Sequence, residues 1–203
     1  MKKVSLMALM LVAGANVNAA NYYVGGKLGY TNLQTITYQD DKVVDGTDKK
    51  ASAFDYSVNA GVKADDMRFE LELGTMTFGE YEKETVKGKM TSLMSNAYYD
   101  VDLQKLAGVT VPVKPYVQAG LGFTHQDAQV WDAADKEYKN APADRNEYAT
   151  WSVGAGVSYE VMPMVTVDAG YKYQRLFAND TNDGKDFTKN TKHSVVFGAR
   201  YGF

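Results

Sequence analysis

From Met67 the chain reads "MRFELELG", in which Met67, Phe69, Leu71 and Leu73 alternate without a break with Arg68, Glu70, Glu72 and Gly74. Successive side chains of a β-strand point to opposite faces, so this period of two specifies a strand with one apolar and one polar wall. A helix through the same residues would scatter both kinds around its circumference. The same alternation returns in "NYYVGGKLGY", with Tyr22, Val24, Leu28 and Tyr30 against Tyr23, Gly25, Lys27 and Gly29. It returns again in "AFDYSVNAGVK", "TSLMSNAYYDV", "YVQAGLGFT", "YATWSVGAGVSYE", "VTVDAGYKYQ" and the closing "SVVFGARYGF". Eight segments result, each near the ~9–11 residues a tilted strand needs to cross a bilayer. An even number of antiparallel strands closes into a barrel with both ends on one side.

The connections carry a second asymmetry. The first, third, fifth and seventh run roughly Thr31 to Ser52, Thr77 to Met90, His125 to Glu147 and Leu176 to Thr191, and all are long and charged. Two of the three on the other side are tight turns, Ala64-Asp65-Asp66 and Met162-Pro163. Long outer loops and short periplasmic turns are the expectation for an outer-membrane barrel. The third short-side connection, Gln104 to Lys114, is longer, and the alternation gives no reason for it.

The amino terminus fits this compartment. Lys2 and Lys3 precede an apolar stretch from Val4 to Ala13 and then small residues up to Ala19, the three parts of a secretory leader. The apolar run is too short for a membrane helix. A leader over residues 1–19, cleaved after Ala19 or Ala20, and one barrel domain over residues 20–203 are expected. The chain has no cysteine, so an exported protein of this sequence is held without disulfides. Its formal charge of −3 becomes more negative when Lys2 and Lys3 leave with the leader, which argues against a nucleic-acid partner.

Alternation does not say which wall faces inward. A soluble ligand-binding barrel would turn its apolar wall inside. Glycine placement argues otherwise: Gly25, Gly29, Gly61, Gly74, Gly120, Gly122, Gly154, Gly156, Gly170, Gly198 and Gly202 all fall on the polar wall, with Gly26 the main exception. A water-facing strand gains nothing from glycine, whereas the crowded lumen of an eight-stranded barrel needs small residues beside large ones. Tyr22, Tyr30, Tyr99, Trp151, Tyr159, Tyr173, Tyr201 and Phe203 end the apolar rows, where a membrane barrel carries its aromatic girdles. The lumen then receives Lys27, Asp55, Arg68, Glu70, Glu72, Asp100, Glu160, Asp168, Lys172 and Arg200. Isolated buried charges are costly, so these should pair into an ionic core that fills the barrel. The competing reading is a small porin-like leak for solutes or ions, although a wide channel needs about sixteen strands.

At this point the chain resembles a family. "KPYVQAGLGF", "WSVGAGVSYEV", "VTVDAGYKYQ" and the leader followed by "NYYVGGKLGY" are similar to the small outer-membrane β-barrel proteins of the opacity, OmpX and OmpA-barrel type. The resemblance implies an eight-stranded barrel in a Gram-negative-type outer membrane, surrounded by membrane lipid and lipopolysaccharide. It also implies assembly by the barrel-assembly machinery, a monomeric state, and loops displayed for adhesion, host contact or surface defence. The ending resembles the signal that machinery reads: Gly198, Tyr201 and Phe203 match its pattern, while Val196 stands where a polar residue is usual.

Catalysis is not expected. Some barrels of this size modify lipid A, which calls for Ser, His and a carboxylate within hydrogen-bond reach. His193 and Ser194 are adjacent, so they point to opposite walls, and His125 has no serine beside it. "NDTNDGKD" does not keep calcium-loop ligand spacing, and neither a metal nor a cofactor is expected. Trp131 and Tyr138 in the third outer loop are the candidate contacts for a surface ligand, a role loops commonly carry.

Overall fold

The structure is a computed structural model that describes residues 21–39, 42–43, 49–79, 86–109, 111–132, 137–140, 147–177 and 186–203. The leader expected over residues 1–19 lies outside the described residues. The strands in chain order are β1 (Asn21–Gln39), β2 (Lys42–Val43), β3 (Lys49–Ala64), β4 (Met67–Gly79) and β5 (Val86–Asp100). A one-turn helix, α1 (Leu103–Ala107), precedes β6 (Val113–Asp132), β7 (Glu137–Asn140), β8 (Glu147–Met162), β9 (Val165–Leu176) and β10 (Asp186–Gly202).

Eight of these strands are long, and each pairs antiparallel with its neighbour in the order β1, β3, β4, β5, β6, β8, β9, β10. The first and last strands then pair with each other, from Tyr23 opposite Gly202 to Gln39 opposite Asp186. That seam closes the eight long strands into an all-β antiparallel barrel. The two short strands are extensions of hairpins: β2 pairs the end of β1, and β7 pairs the end of β6.

The expected phase of the alternation is the observed one. Tyr23, Asn59, Arg68, Glu70, Glu72, Asn96 and Ser194 are buried, whereas Leu28 is 67% exposed and Phe54 74%. The apolar wall therefore faces outward, inverting the arrangement of a water-soluble domain. From Tyr22 to Tyr30 the outer row of β1 spans about 26 Å along the strand, which suits the apolar band of such a barrel. Tyr22, Tyr99, Tyr159, Tyr201 and Phe203 stand exposed at the end of the tight turns. Tyr30 and Phe54, edge-on at 5.4 Å, with Trp151 and Tyr173, also 5.4 Å apart, mark the loop end.

The strands run further than the sequence boundaries suggest. Thr31 to Thr35, expected in a loop, continue the ladder against Ala53 to Lys49. Neither residue type nor charge breaks the backbone pairing there, so the hairpins rise beyond the girdle as sheet. The long turn-side connection also has an explanation. Asp102 caps α1 by accepting from the backbone N–H groups of Gln104 and Lys105, and Gly108 ends it at φ 67°.

The lumen is crowded where glycine lies. Gly156 and Gly170 face each other across β8 and β9, and the Tyr116 hydroxyl sits over both. A Cβ on Gly156 would lie 2.6 Å from that oxygen, so the pair forms a floor that only glycine allows.

Candidate functional site

The polar wall assembles into layers. Nearest the turns, the Arg68 Nε donates to Asp100 Oδ1 at 2.9 Å, and Lys63 adds a second cation 3.4 Å from Asp100 Oδ2. Arg200 lies 3.5 Å and Arg68 4.0 Å from Asp168 Oδ1, which also accepts from the Ser158 hydroxyl at 2.5 Å. The Arg68 guanidinium is 2% exposed and is held between two rings, 4.4 Å from the centre of Tyr98 and 5.1 Å from that of Tyr116. Planar, weakly hydrated arginine suits this double contact better than lysine would.

The middle layer is a chain of alternating charge. Lys27 bridges Glu70 and Glu72, reaching Glu72 Oε2 at 2.6 Å, and Lys172 reaches the other oxygen of Glu72 at 2.8 Å. Tyr23, Asn59 and Tyr98 all donate to Glu70, and Lys27 donates to the Tyr98 hydroxyl at 2.9 Å. Removing carboxylates and ammonium groups from water is tolerable only when their lone pairs and protons are satisfied in this way. Above it, Thr31 donates to Asp55 and shares a 2.6 Å bond with Ser194, while Ser92, Thr124 and Thr150 form a hydroxyl chain. Buried Lys192, which the sequence placed beyond the strand, borders a cavity with Asp55, Lys172 and Gln174.

At the loop end the lumen changes character. Leu33, Ala53, Met76, Met90 and Leu176 pack together as a buried apolar plug, with Ala51 and Tyr148 against it. Below it, among the described residues, two cavities of about 20 Å³ each lie between the charged side chains. Each has room for about one water molecule.

Of the ten charged residues expected inside, nine line this interior. Glu160 is exposed, next to the register shift between Glu160 and Met162 that ends β8 against β9. The sequence reading left out Lys63, Lys192 and the three tyrosines Tyr23, Tyr98 and Tyr116. Their inward parity was visible, Tyr23, Lys63 and Tyr98 having been placed on the polar wall, but the lining was drawn only from the charged residues of the recognised strand segments. Trp131 and Tyr138 face each other in backbone register across β6 and β7, and their side chains lie outside the described residues.

The two histidines sit on the outer wall. His193 Nδ1 is hydrogen-bonded to the Tyr171 hydroxyl, and His125 Nε2 lies 3.1 Å from Asp127 Oδ1. Ser194 points inward to Thr31, so the adjacent His193 and Ser194 are separated by the barrel wall. Among the described residues no group of three or more His, Asp or Glu is placed to hold a metal ion. The turn-side helix α1 is tied to the neighbouring turn by Lys105, whose ammonium is 3.1 Å from Asp66. The hydrogen bond to Asp66 raises the Lys105 pKa, and the backbone N–H of Lys105 holds the Asp102 carboxyl below its usual value.

A closed wall with an apolar exterior, two girdles and a filled polar interior fits one environment. Residues 4–203 match the family described as outer membrane protein beta-barrel domain. The chain belongs to that family. It is a barrel of the bacterial outer membrane, with its tight turns on the periplasmic side and its long hairpins outside. Along its length it is similar to outer membrane protein PagN of Salmonella typhimurium, 25% identical over 240 residues covering 98% of both chains. It shares 27% identity over 99 residues with an uncharacterized protein of Brucella abortus, 46% of this chain and 33% of that one. The crystal structure of Neisserial surface protein A has the same fold, with a TM-score of 0.63 and 23% identity over 92% of this chain and 100% of that one.

Proposed function

We propose that this barrel is a non-enzymatic surface-contact protein whose rigid wall presents outer hairpins to ligands outside the cell, as in adhesion or host contact. The observation that carries this reading is the crowded lumen: among the described residues an ionic core beneath an apolar cluster suits a rigid display scaffold. Specificity belongs to the hairpin tips, where substitutions can be made without disturbing the scaffold. The test replaces the third hairpin, residues 126–146, by a short turn and measures binding of barrel-displaying cells to immobilised matrix and host cells. Binding should fall by about tenfold or more if a hot-spot cluster there is lost, with the heat-modifiable gel shift of the folded barrel unchanged. Undiminished binding after each of the four outer hairpins has been shortened in turn would sink the reading.

We further infer that Gly198, Tyr201 and Phe203 serve the barrel-assembly machinery. Phe203 is 67% exposed, and its backbone N–H donates to Tyr22 O at 3.0 Å, so its ring is not needed to close the seam. Deleting Phe203 should lower the yield of inserted barrel far more than the stability of barrels already inserted. Equal losses of both would count against an assembly role.

A further inference from the structure

Most cations inside the barrel have a carboxylate beside them. Lys27, Lys63, Arg68, Lys172 and Arg200 all pair with Glu70, Glu72, Asp100 or Asp168. Lys192 is 5% exposed, yet among the described residues it forms neither an ion pair nor a hydrogen bond. Directly across from it on β9 stands buried Gln174, whose side-chain Nε2 has no hydrogen-bond partner among them either. With Lys172 these two line one cavity of about 20 Å³, and the cross-strand pair Met76 and Met90 borders it. An ammonium and an amide buried side by side without acceptors are costly.

The two carboxylates on this cavity are engaged by other groups. Glu72 accepts from Lys172 with one oxygen and from Lys27 with the other. Asp55 accepts from Thr31 and lies over the bare backbone of Gly29, where a Cβ would collide with its carboxylate. The sulfurs of Met76 and Met90 accept only weakly. Lys192 and Gln174 therefore meet the cavity with donors to spare. A water molecule there would receive their protons but bring two of its own to place. A monatomic anion receives several and brings none, and its charge opposes that of the ammonium left without a carboxylate. The volume suits a guest about the size of a water molecule, which admits a halide and shuts out phosphate or sulfate.

We propose that Lys192 and Gln174, with Lys172 beside them, hold a single halide ion inside the barrel, just beneath the apolar cluster. This site lies within the wall and stands or falls apart from the surface-contact reading. The test uses the full barrel refolded in lipid vesicles, with bromide as the probe and gluconate, too large for the cavity, keeping ionic strength constant. At fixed urea the unfolding equilibrium constant should fall about tenfold for each tenfold rise in bromide once the site is saturated. Lys192→Met should abolish that dependence. Gln174→Glu sets a carboxylate beside Lys192 in place of the ion, so its unfolding should also be independent of bromide. That variant carries the test if Lys192→Met does not refold. Diffraction from crystals grown in bromide should show an anomalous peak within hydrogen-bond reach of Gln174 Nε2 and Lys192 Nζ. Parent unfolding indifferent to bromide, or a refolded variant that still responds to it, would overturn the site. So would a map without a bromide peak in the cavity, and a peak without bromide dependence in vesicles would mean an adventitious ion only.

Discussion

Towards the outer hairpins the inside of the barrel carries an apolar cluster, with Leu33, Ala53, Met76, Met90 and Leu176 packed against one another. Towards the periplasm the same inner wall carries Arg68, Asp100, Asp168 and Arg200, and Lys63 and Asp100 border a vestibule of about 270 Å³ beside α1. The two closures obey different rules. An apolar plug asks only for shape and volume, so it tolerates exchanges that preserve both. An ionic layer asks each member for a specific partner, and removal of one strands the others. The barrel thus closes on a forgiving layer at the environment-facing mouth and an exacting one within.

The sharpest way to break this contrast is at Arg68. Arg68→Ala leaves Asp100 and Asp168 without the guanidinium between them and should cost about 3–5 kcal/mol, read from urea unfolding in lipid vesicles. A loss below about 1 kcal/mol, the scale of an exposed pair, would mean that the layer is solvated and the contrast is false. The plug should respond by volume: Leu176→Ala should cost about 2–5 kcal/mol. Leu176→Met should cost less than about 1.5 kcal/mol. In planar bilayers neither plug variant should produce discrete conductance steps, because the ionic core below remains filled. Steps from Leu176→Ala alone would restore the leak-channel reading.

How much of this was legible in the sequence follows from what each feature depends on. The phase of the eight long strands was readable because parity is local: Lys27 inside and Leu28 outside follow from one-residue spacing. The ion pairs were not readable, since the bond of Lys172 to Glu72 spans 100 residues and depends on strand stagger. The plug hid in segments whose charge read as loop, although Leu33 and Leu176 keep the inward parity of Thr31 and Gln174. The helix α1 left its signals in plain order, Asp102 before it and Gly108 after it. Periodicity of two, the measure in use, is blind to a single helical turn.

Smaller effects sharpen the comparison further. Gly170→Ala places a methyl against the Tyr116 hydroxyl and, by displacing the ring beside Arg68, should cost about 1–3 kcal/mol in the same unfolding assay. The smallest change is expected at Asp102, whose carboxyl is held low by the Lys105 backbone N–H. A carboxyl with a depressed folded-state pKa contributes above its unfolded value and loses that contribution as pH falls through the folded one. Asp102→Ala should therefore speed hydrogen exchange over Leu103–Ala107 at neutral pH and converge with the parent in acid, while global unfolding stays unchanged. Parallel exchange profiles at both pH values would show that the cap does not hold the helix.

The seam between β1 and β10 has a consequence for biogenesis. Tyr23 finds Gly202, and Val24 finds Tyr201, across almost the whole length of the chain. Hairpins can form from neighbours, but the ring cannot be sealed until the final strand has been synthesised and exported. Until then β1 exposes an unsatisfied edge beside strongly apolar side chains, which is a template for aggregation. Closure of the ring therefore waits on the arrival of β10, and until then the open edge of β1 is what the chain has to keep from pairing elsewhere.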